Sequence, residues 1–90
     1  MSAKLKQCPC CDYFTLTSED DYEICPVCFW EQDYFDIELP DEISGANHGL
    51  TIREARLNFR NCGACCVEMV ANVLSSNERN EFTYIERNIS

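Results

Sequence analysis

The chain has 90 residues, eight cysteines and a formal net charge of −9. A domain this short buries proportionally little of its surface and commonly relies on a metal or on disulfides to fold. It contains neither the roughly 18 apolar residues of a membrane helix nor an N-terminal signal peptide, so we expect a cytoplasmic protein with no membrane span. In that reducing compartment disulfides are rare, and closely spaced cysteines are read first as metal ligands.

The acidic residues are concentrated in one part of the chain. Residues 7–52 include eleven Asp and Glu and no Lys or Arg, whereas the remainder is slightly basic. Affinity for nucleic acid comes from Lys and Arg that neutralise phosphates, so this distribution disfavours a nucleic-acid partner. It favours a basic protein surface as the partner.

The first third of the single domain, residues 7–35, is predicted to form two short hairpins or turns built around Cys-Pro-x-Cys. Residues 13–17 have strand composition, residues 18–21 are a cluster of turn formers, and residues 22–24 lead back to the second cysteine pair. Such a reversal places the two pairs side by side. Residues 36–50 contain glycine, proline and scattered acids, and we interpret them as an irregular loop.

Residues 51–76 are predicted to form a helical hairpin. Thr51 and Glu54 match a capping box at the start of its first helix, and Gly63 is a suitable C-cap. A second helix would begin near Ala64 and bury four side chains, those of Cys66, Met69, Val70 and Val73. Residues 77–90 form a tail in which residues 82–85 fit either a last strand or the end of a helix.

The predicted fold is therefore a small α+β domain. It combines a zinc ribbon or knuckle pair, with short antiparallel strands, and a C-terminal helical hairpin packed against it.

Two motifs of the same form, Cys-Pro-x-Cys, carry the clearest chemical signal. Each is followed two residues later by an aromatic residue, Tyr13 or Trp30. The outer cysteines of two such motifs can complete a tetrahedral zinc site, and thirteen intervening residues suit a short hairpin. The predicted ligands of one Zn²⁺ per chain are Cys8, Cys11, Cys25 and Cys28.

Four protein ligands leave no open position for water or substrate, so we expect a structural site and no enzymatic activity. Iron in the same four-sulfur cage is an alternative. Cys10 lies inside the first motif and could replace Cys11, but the Cys-x-x-Cys spacing favours Cys11. We interpret Cys10 as a spare, partly buried thiol.

These motifs and several downstream segments resemble the bacterial cysteine-rich CPCC family. The resemblance covers residues 7–68 and rests on the segments 8–11, 22–31, 45–47, 50–56, 58–59 and 63–65. It implies a small zinc-ribbon-like protein. It also implies a similarity to the accessory or immunity proteins encoded near secreted bacterial toxins, and hence a toxin domain as one kind of basic partner.

A thiol-disulfide oxidoreductase that uses Cys62 and Cys65 is the first alternative function, because a thiol at a helix N-terminus has a lowered pKa. No βαβ pattern surrounds these residues, which argues against a thioredoxin-like fold. Cys65 and Cys66 are then small apolar residues of the helical hairpin. A second metal site made from these cysteines and His48 is weaker still, because His48 lies in a loop bounded by glycines.

A nucleic-acid-binding zinc ribbon is the other alternative. Arg53, Arg56 and Arg60 form a stripe along the first helix that could contact phosphate, but surface ion pairs with the acidic segment are the favoured interpretation. Trp30 is predicted to be core. The preferred function is a non-catalytic zinc-binding protein-interaction module, an immunity-type protein among the options. Its predicted contact surface is Asp33, Tyr34, Phe35, Asp36, Glu38, Asp41 and Glu42.

Overall fold

The computed structural model describes residues 5–17 and 23–89. This part of the chain contains a two-stranded antiparallel sheet, two α-helices and two 3-10 helices. The strands are β1 (Lys6–Gln7) and β2 (Phe14–Leu16), the α-helices are α1 (Ile52–Cys62) and α2 (Ser76–Arg79), and the 3-10 helices are Gly45–Asn47 and Val67–Asn72. The prediction of a small domain with short antiparallel strands and helices is confirmed at this level.

Each Cys-Pro-x-Cys turn lies between two antiparallel segments. We term residues 8–11 the first knuckle and residues 25–28 the second knuckle. Around the first knuckle, β1 pairs with β2, with Lys6 opposite Leu16. Around the second, Ile24 pairs with Glu31. The predicted turn at residues 18–21 lies outside the described residues.

Helix α1 begins and ends where its capping residues predict. The Thr51 side chain accepts a hydrogen bond from Glu54 N, and the Glu54 side chain accepts one from Thr51 N, which completes the capping box. At the other end Gly63 adopts the left-handed conformation with φ of 83° and donates its N–H to Phe59 O. Ile52 and Ala55 are fully buried and pack α1 against the knuckles.

The second helix of the predicted hairpin does not form. Val67–Asn72 is a 3-10 helix, and Val70, one of the four residues predicted to be buried, is 43% exposed. The chain is extended at Cys66 and Val73 on either side of it. Just before and just after this stretch, Cys65 N donates to Cys28 O and Leu74 N donates to Pro26 O. The segment therefore follows the second knuckle instead of continuing as an α-helix.

The core lies around the two knuckles. Their cysteines are buried together with Leu16, Val27, Trp30 and Ile52, which confirms the prediction for Trp30. The C-terminal tail pairs along the first hairpin, because Phe14 N donates to Thr83 O and Tyr84 pairs with Tyr13. Residues 82–85 form neither a regular strand nor the end of a helix, and Tyr84 alone makes an isolated bridge. No helix in the described ranges is long and apolar enough to cross a membrane.

Candidate metal centre

The two knuckles repeat the same backbone turn. In the first, Cys8 N donates to Tyr13 O at 2.9 Å, and in the second, Cys25 N donates to Trp30 O at 2.9 Å. The residue after each knuckle, Asp12 or Phe29, closes the turn in the left-handed region with φ of 67° or 69°. This conformation costs an L-residue about 1–2 kcal/mol. Asp12 and Phe29 adopt this unfavourable conformation at equivalent positions of the two knuckles. The turn that results directs the cysteine side chains toward one point.

The four outer cysteines meet at that point. Their Sγ atoms all lie within 4.8 Å of one another, and all four residues are buried. Cys8 Sγ is 3.6 Å from Cys28 Sγ, and Cys11 Sγ is 3.7 Å from Cys25 Sγ. Sulfur ligands at about 2.3 Å from a tetrahedral metal lie about 3.8 Å apart. The spacing of the thiols therefore fits a metal ion, and each shortest contact joins one knuckle to the other.

Burial opposes the ionisation of most of the thiols in this cluster. Burial raises the pKa of the Cys8, Cys11 and Cys28 thiols. Hydrogen bonds from the neighbouring thiols lower the pKa of Cys25. Four thiolates so close together and out of water are stable only when a metal offsets their charge, because metal binding displaces the thiol protons.

Thr15 provides a second contact to the cluster, which the sequence did not indicate. Its Oγ1 lies 3.0 Å from Cys25 Sγ, and the residue is buried on β2. A hydroxyl at this position donates to a thiolate and offsets part of its charge. Such contacts outside the ligand set orient the ligands and tune metal affinity. Phe14, Thr15 and Leu16 show no alternating burial that would single out Thr15.

The remaining cysteines lie outside the cluster. Cys10 lies outside the cluster and donates from Sγ to Ala55 O at 3.4 Å, but it is buried, where the prediction was a partly buried thiol. Cys65 and Cys66 are buried, and Cys62 is half-buried. Within residues 5–17 and 23–89, the metal-ligating side chains found close enough to share an ion are those of the four outer cysteines. His48, exposed in its loop, does not join the cysteines in a second site.

A buried ionic network holds the first knuckle. Asp12 accepts a bidentate pair of hydrogen bonds from Arg56 on α1, at 2.8 and 2.9 Å. Arg87 in the tail adds its backbone N–H and its Nε at 2.8 and 2.9 Å. Burial alone would raise the pKa of Asp12, but the hydrogen bonds from these arginines lower the pKa below its ordinary value. The two guanidinium groups continue to the carbonyl oxygens of Pro9 and Cys8.

The arginine stripe of α1 thus divides into different roles. Arg53 pairs with Asp41 at 2.8 Å on the surface, as the ion-pair interpretation predicted. Arg56 is buried against Asp12 instead of being solvated. Arg60 is exposed and makes no ion pair with a carboxylate of the described residues. Sequence spacing could not separate these roles, because the partners lie far away along the chain.

A polar network of the 36–50 loop holds the second hairpin. Asn47 accepts from Glu31 N at 2.7 Å and donates to Glu31 O at 2.8 Å. It also donates to Ser44 Oγ, and Ser44 Oγ donates to Asp33 Oδ2 at 2.7 Å. Buried polar groups are stable when paired in this way. The loop reverses after Asn47 through His48 and Gly49, which both adopt the left-handed conformation.

The predicted contact surface is divided by the fold. Phe35 is 3% exposed and packs in the core, and Asp33 is 7% exposed and bound to Ser44, so neither belongs to an exposed contact surface. This corrects their assignment: the period-two pattern at residues 33–36 turns alternate side chains inward. Asp36 is half-buried. The residues that remain on the surface are Tyr34, Glu38, Asp41 and Glu42.

Comparison with known proteins identifies the family. The family model described as Cysteine-rich CPCC matches residues 6–80. The chain belongs to the cysteine-rich CPCC family. The resemblance inferred from the knuckles is therefore confirmed, and the match extends through α1 to α2. Neither a curated protein nor a solved structure matches the chain, so for this CPCC protein the function has to be argued from the site itself.

Proposed function

We propose that the chain is a non-catalytic zinc-binding protein, in which one Zn²⁺ bound by Cys8, Cys11, Cys25 and Cys28 fixes a zinc-ribbon-like pair of knuckles. The observation that carries the proposal is the mutual approach of four buried Sγ atoms within 4.8 Å. Four sulfur ligands fill a tetrahedral sphere, which is the arrangement of structural zinc sites and leaves no position for substrate. Reduced thiols of this kind agree with a cytoplasmic location.

Metal analysis of the purified chain tests the metal and its number. We expect one zinc per chain, released by a chelator together with the tertiary structure followed by near-ultraviolet circular dichroism. A red-brown protein that contains iron would contradict the zinc assignment. A metal-free protein that still unfolds cooperatively would contradict the structural role.

We further propose that the protein acts by binding a basic protein partner through the segment 34–43. Acidic residues there alternate with three apolar side chains in solvent: Tyr34 is 69% exposed, Leu39 46% and Ile43 69%. Aromatic and aliphatic side chains surrounded by charges are the composition of a protein contact surface. The immunity-type role that the resemblance implies is one form of this proposal, with a basic toxin domain as the partner.

Charge-neutral variants test the contact segment. Glu38, Asp41 and Glu42 are exposed and can be changed together to Gln, Asn and Gln. Glu68, Glu81 and Glu86, also exposed, supply a matched control with the same loss of charge. With a basic protein co-purified from the host and identified, the first variant should associate at least about tenfold more slowly, and the control should not. Equal rates for both variants would contradict the proposed segment.

The alternative functions receive less support from the geometry. Burial and neighbouring thiols raise the pKa of Cys65, which opposes the thiolate that a redox pair needs. Replacement of Cys62 and Cys65 by Ala should therefore leave disulfide-reductase activity at background, as in the unmodified protein. The net charge of −9 disfavours a nucleic-acid-binding ribbon.

A further inference from the structure

A cavity of about 570 Å³ lies beside the first knuckle. It is partly open to solvent, and α1, α2, the C-terminal tail and the first knuckle form its walls. Its lining includes Phe59 and Arg60 from α1, Arg79 from α2, and Tyr84 and Glu86 from the tail. Cys10, Cys11 and Asp12 also line it, so the cavity borders the metal cluster at Cys11, while the five side chains named above lie outside that cluster.

Two arginines of this cavity have no carboxylate partner among the described residues, although the chain is strongly acidic. The structure contains ion pairs for Arg53, Arg56 and Arg87. In the described residues, the arginines without a carboxylate partner are Arg60 and Arg79, and both line the cavity. Arg79 Nε is buried and has no hydrogen-bond partner. An unpaired buried donor on a cation costs free energy unless a ligand satisfies it.

The walls of the cavity add aromatic surface to these charges. The Arg79 guanidinium lies 5.1 Å from the centre of the Phe59 ring, which holds it in a cation–π contact. Tyr84 is 48% exposed and contacts Tyr13, whose ring packs against Phe59. The volume is within the range of small-molecule sites and far exceeds that of an inorganic ion. The site therefore combines the aromatic side chains of Phe59 and Tyr84 with the guanidinium groups of Arg60 and Arg79.

We propose that this cavity binds a small organic anion, in which a phosphate or carboxylate group contacts Arg60 and Arg79 and an attached ring packs against Phe59 and Tyr84. Guanidinium groups match such oxyanions in geometry and charge. A protein with a net charge of −9 repels anions at long range, so binding must come from this local arrangement. Binding of such an anion would be a function in addition to zinc binding and partner binding. The bound anion would lie beside the first knuckle.

Titration calorimetry on the zinc-loaded full chain tests the proposal with three probes. Phenyl phosphate carries both features, inorganic phosphate carries the oxyanion alone, and benzyl alcohol carries the ring alone. We expect saturable binding of phenyl phosphate in the millimolar range or tighter, at least about tenfold tighter than inorganic phosphate, and none of benzyl alcohol. Equal affinity for the two phosphates would overturn the proposal, because the aromatic wall would then contribute nothing.

Variants locate the binding. Arg60→Gln removes an exposed side chain and should weaken phenyl phosphate about tenfold. Arg53→Gln is the matched control, since it removes one positive charge from the same helix outside the cavity, and should change the affinity less than about twofold. Glu86→Gln removes a carboxylate from the lining and should strengthen binding about twofold.

Arg79→Gln should abolish detectable binding, provided that zinc content and thermal unfolding match the unmodified protein. If that variant does not fold, the opposite effects of Arg60→Gln and Glu86→Gln decide the question. No saturable binding of phenyl phosphate below about 10 mM would refute the site. An equal loss in Arg53→Gln and Arg60→Gln would also refute it, because it would indicate a general effect of charge.

Discussion

The two knuckles share one backbone turn, yet different parts of the chain hold them. The carbonyl oxygen of Pro9 in the first knuckle accepts from Arg56 Nη1 at 2.8 Å. The carbonyl oxygen of Pro26, at the equivalent place in the second knuckle, accepts from the backbone N–H of Leu74 at 3.1 Å. One turn is thus supported by charged side chains and the other by main chain.

The first knuckle therefore depends on particular side chains, whereas the second depends on the path of the backbone. Almost any residue supplies a backbone N–H, so the second knuckle depends on where the chain runs more than on which residues it contains. A guanidinium comes only from arginine, and hydrogen bonds to charged groups contribute about 1.5–3 kcal/mol each. The first knuckle should therefore be the more sensitive of the two to single substitutions outside the cysteines.

The largest expected loss of stability comes from replacing a metal ligand, and it should be the same in both knuckles. Cys11→Ser and Cys28→Ser should each lose the metal and the folded state, because structural zinc contributes about 10–16 kcal/mol, comparable with the whole stability of a small domain. Cys10→Ser is the control inside the first knuckle, since a hydroxyl can still donate to Ala55 O. Metal analysis and circular dichroism follow the outcome. Loss of metal in Cys10→Ser would show that the ligand set is wrong.

The second largest effect should be confined to the first knuckle. Asp12→Asn keeps a residue that tolerates the left-handed conformation but leaves the buried Arg56 without its counter-charge. We expect a loss of about 3–5 kcal/mol in the free energy of unfolding by denaturant.

Asp41→Asn gives the matched comparison for Asp12→Asn. It breaks the pair with Arg53, whose side chain is 43% exposed, and should cost less than about 1 kcal/mol. Similar costs for the two variants would mean that the first knuckle does not depend on its ionic network.

A smaller effect is expected from the side-chain support of the second hairpin. Asn47→Ala removes the hydrogen bonds to the Glu31 backbone and to Ser44, and should cost about 2 kcal/mol. The backbone contacts of Cys65 and Leu74 remain. Asn61→Ala, at an exposed position of α1, is the control and should cost less than about 0.5 kcal/mol. A cost above that of Asp12→Asn would reverse the proposed ranking of the knuckles.

The smallest effect concerns affinity for the metal and not the fold. Thr15→Val preserves shape but removes the hydroxyl that lies 3.0 Å from Cys25 Sγ. Zinc affinity measured by chelator competition should fall about tenfold, with little change in circular dichroism. Thr83→Val, at an exposed position, should leave the affinity unchanged. An unchanged affinity in Thr15→Val would show that the hydroxyl does not donate to the bound thiolate.

Features that depend on residues close together in the sequence were predicted correctly, and features that depend on distant residues were not. The cysteine spacing, the Thr51 capping box and the Gly63 C-cap act within a few residues, and the structure agrees with each of them. The ionic network joins Asp12 to residues 44 and 75 positions away, beyond any local pattern. The missing second helix has the same cause, because its residues follow contacts with the second knuckle.

The order of these contacts along the chain has a consequence for biosynthesis. The four thiols are complete once Cys28 has been made, whereas Arg56 and Arg87 emerge from the ribosome later. At about 5–20 residues per second, the delay is on the order of seconds. The nascent chain can therefore acquire its metal while the carboxylate of Asp12 is still in water. If the metal binds at that stage, the later contacts of Arg56 and Arg87 with Asp12 would close the domain over a metal that is already in place.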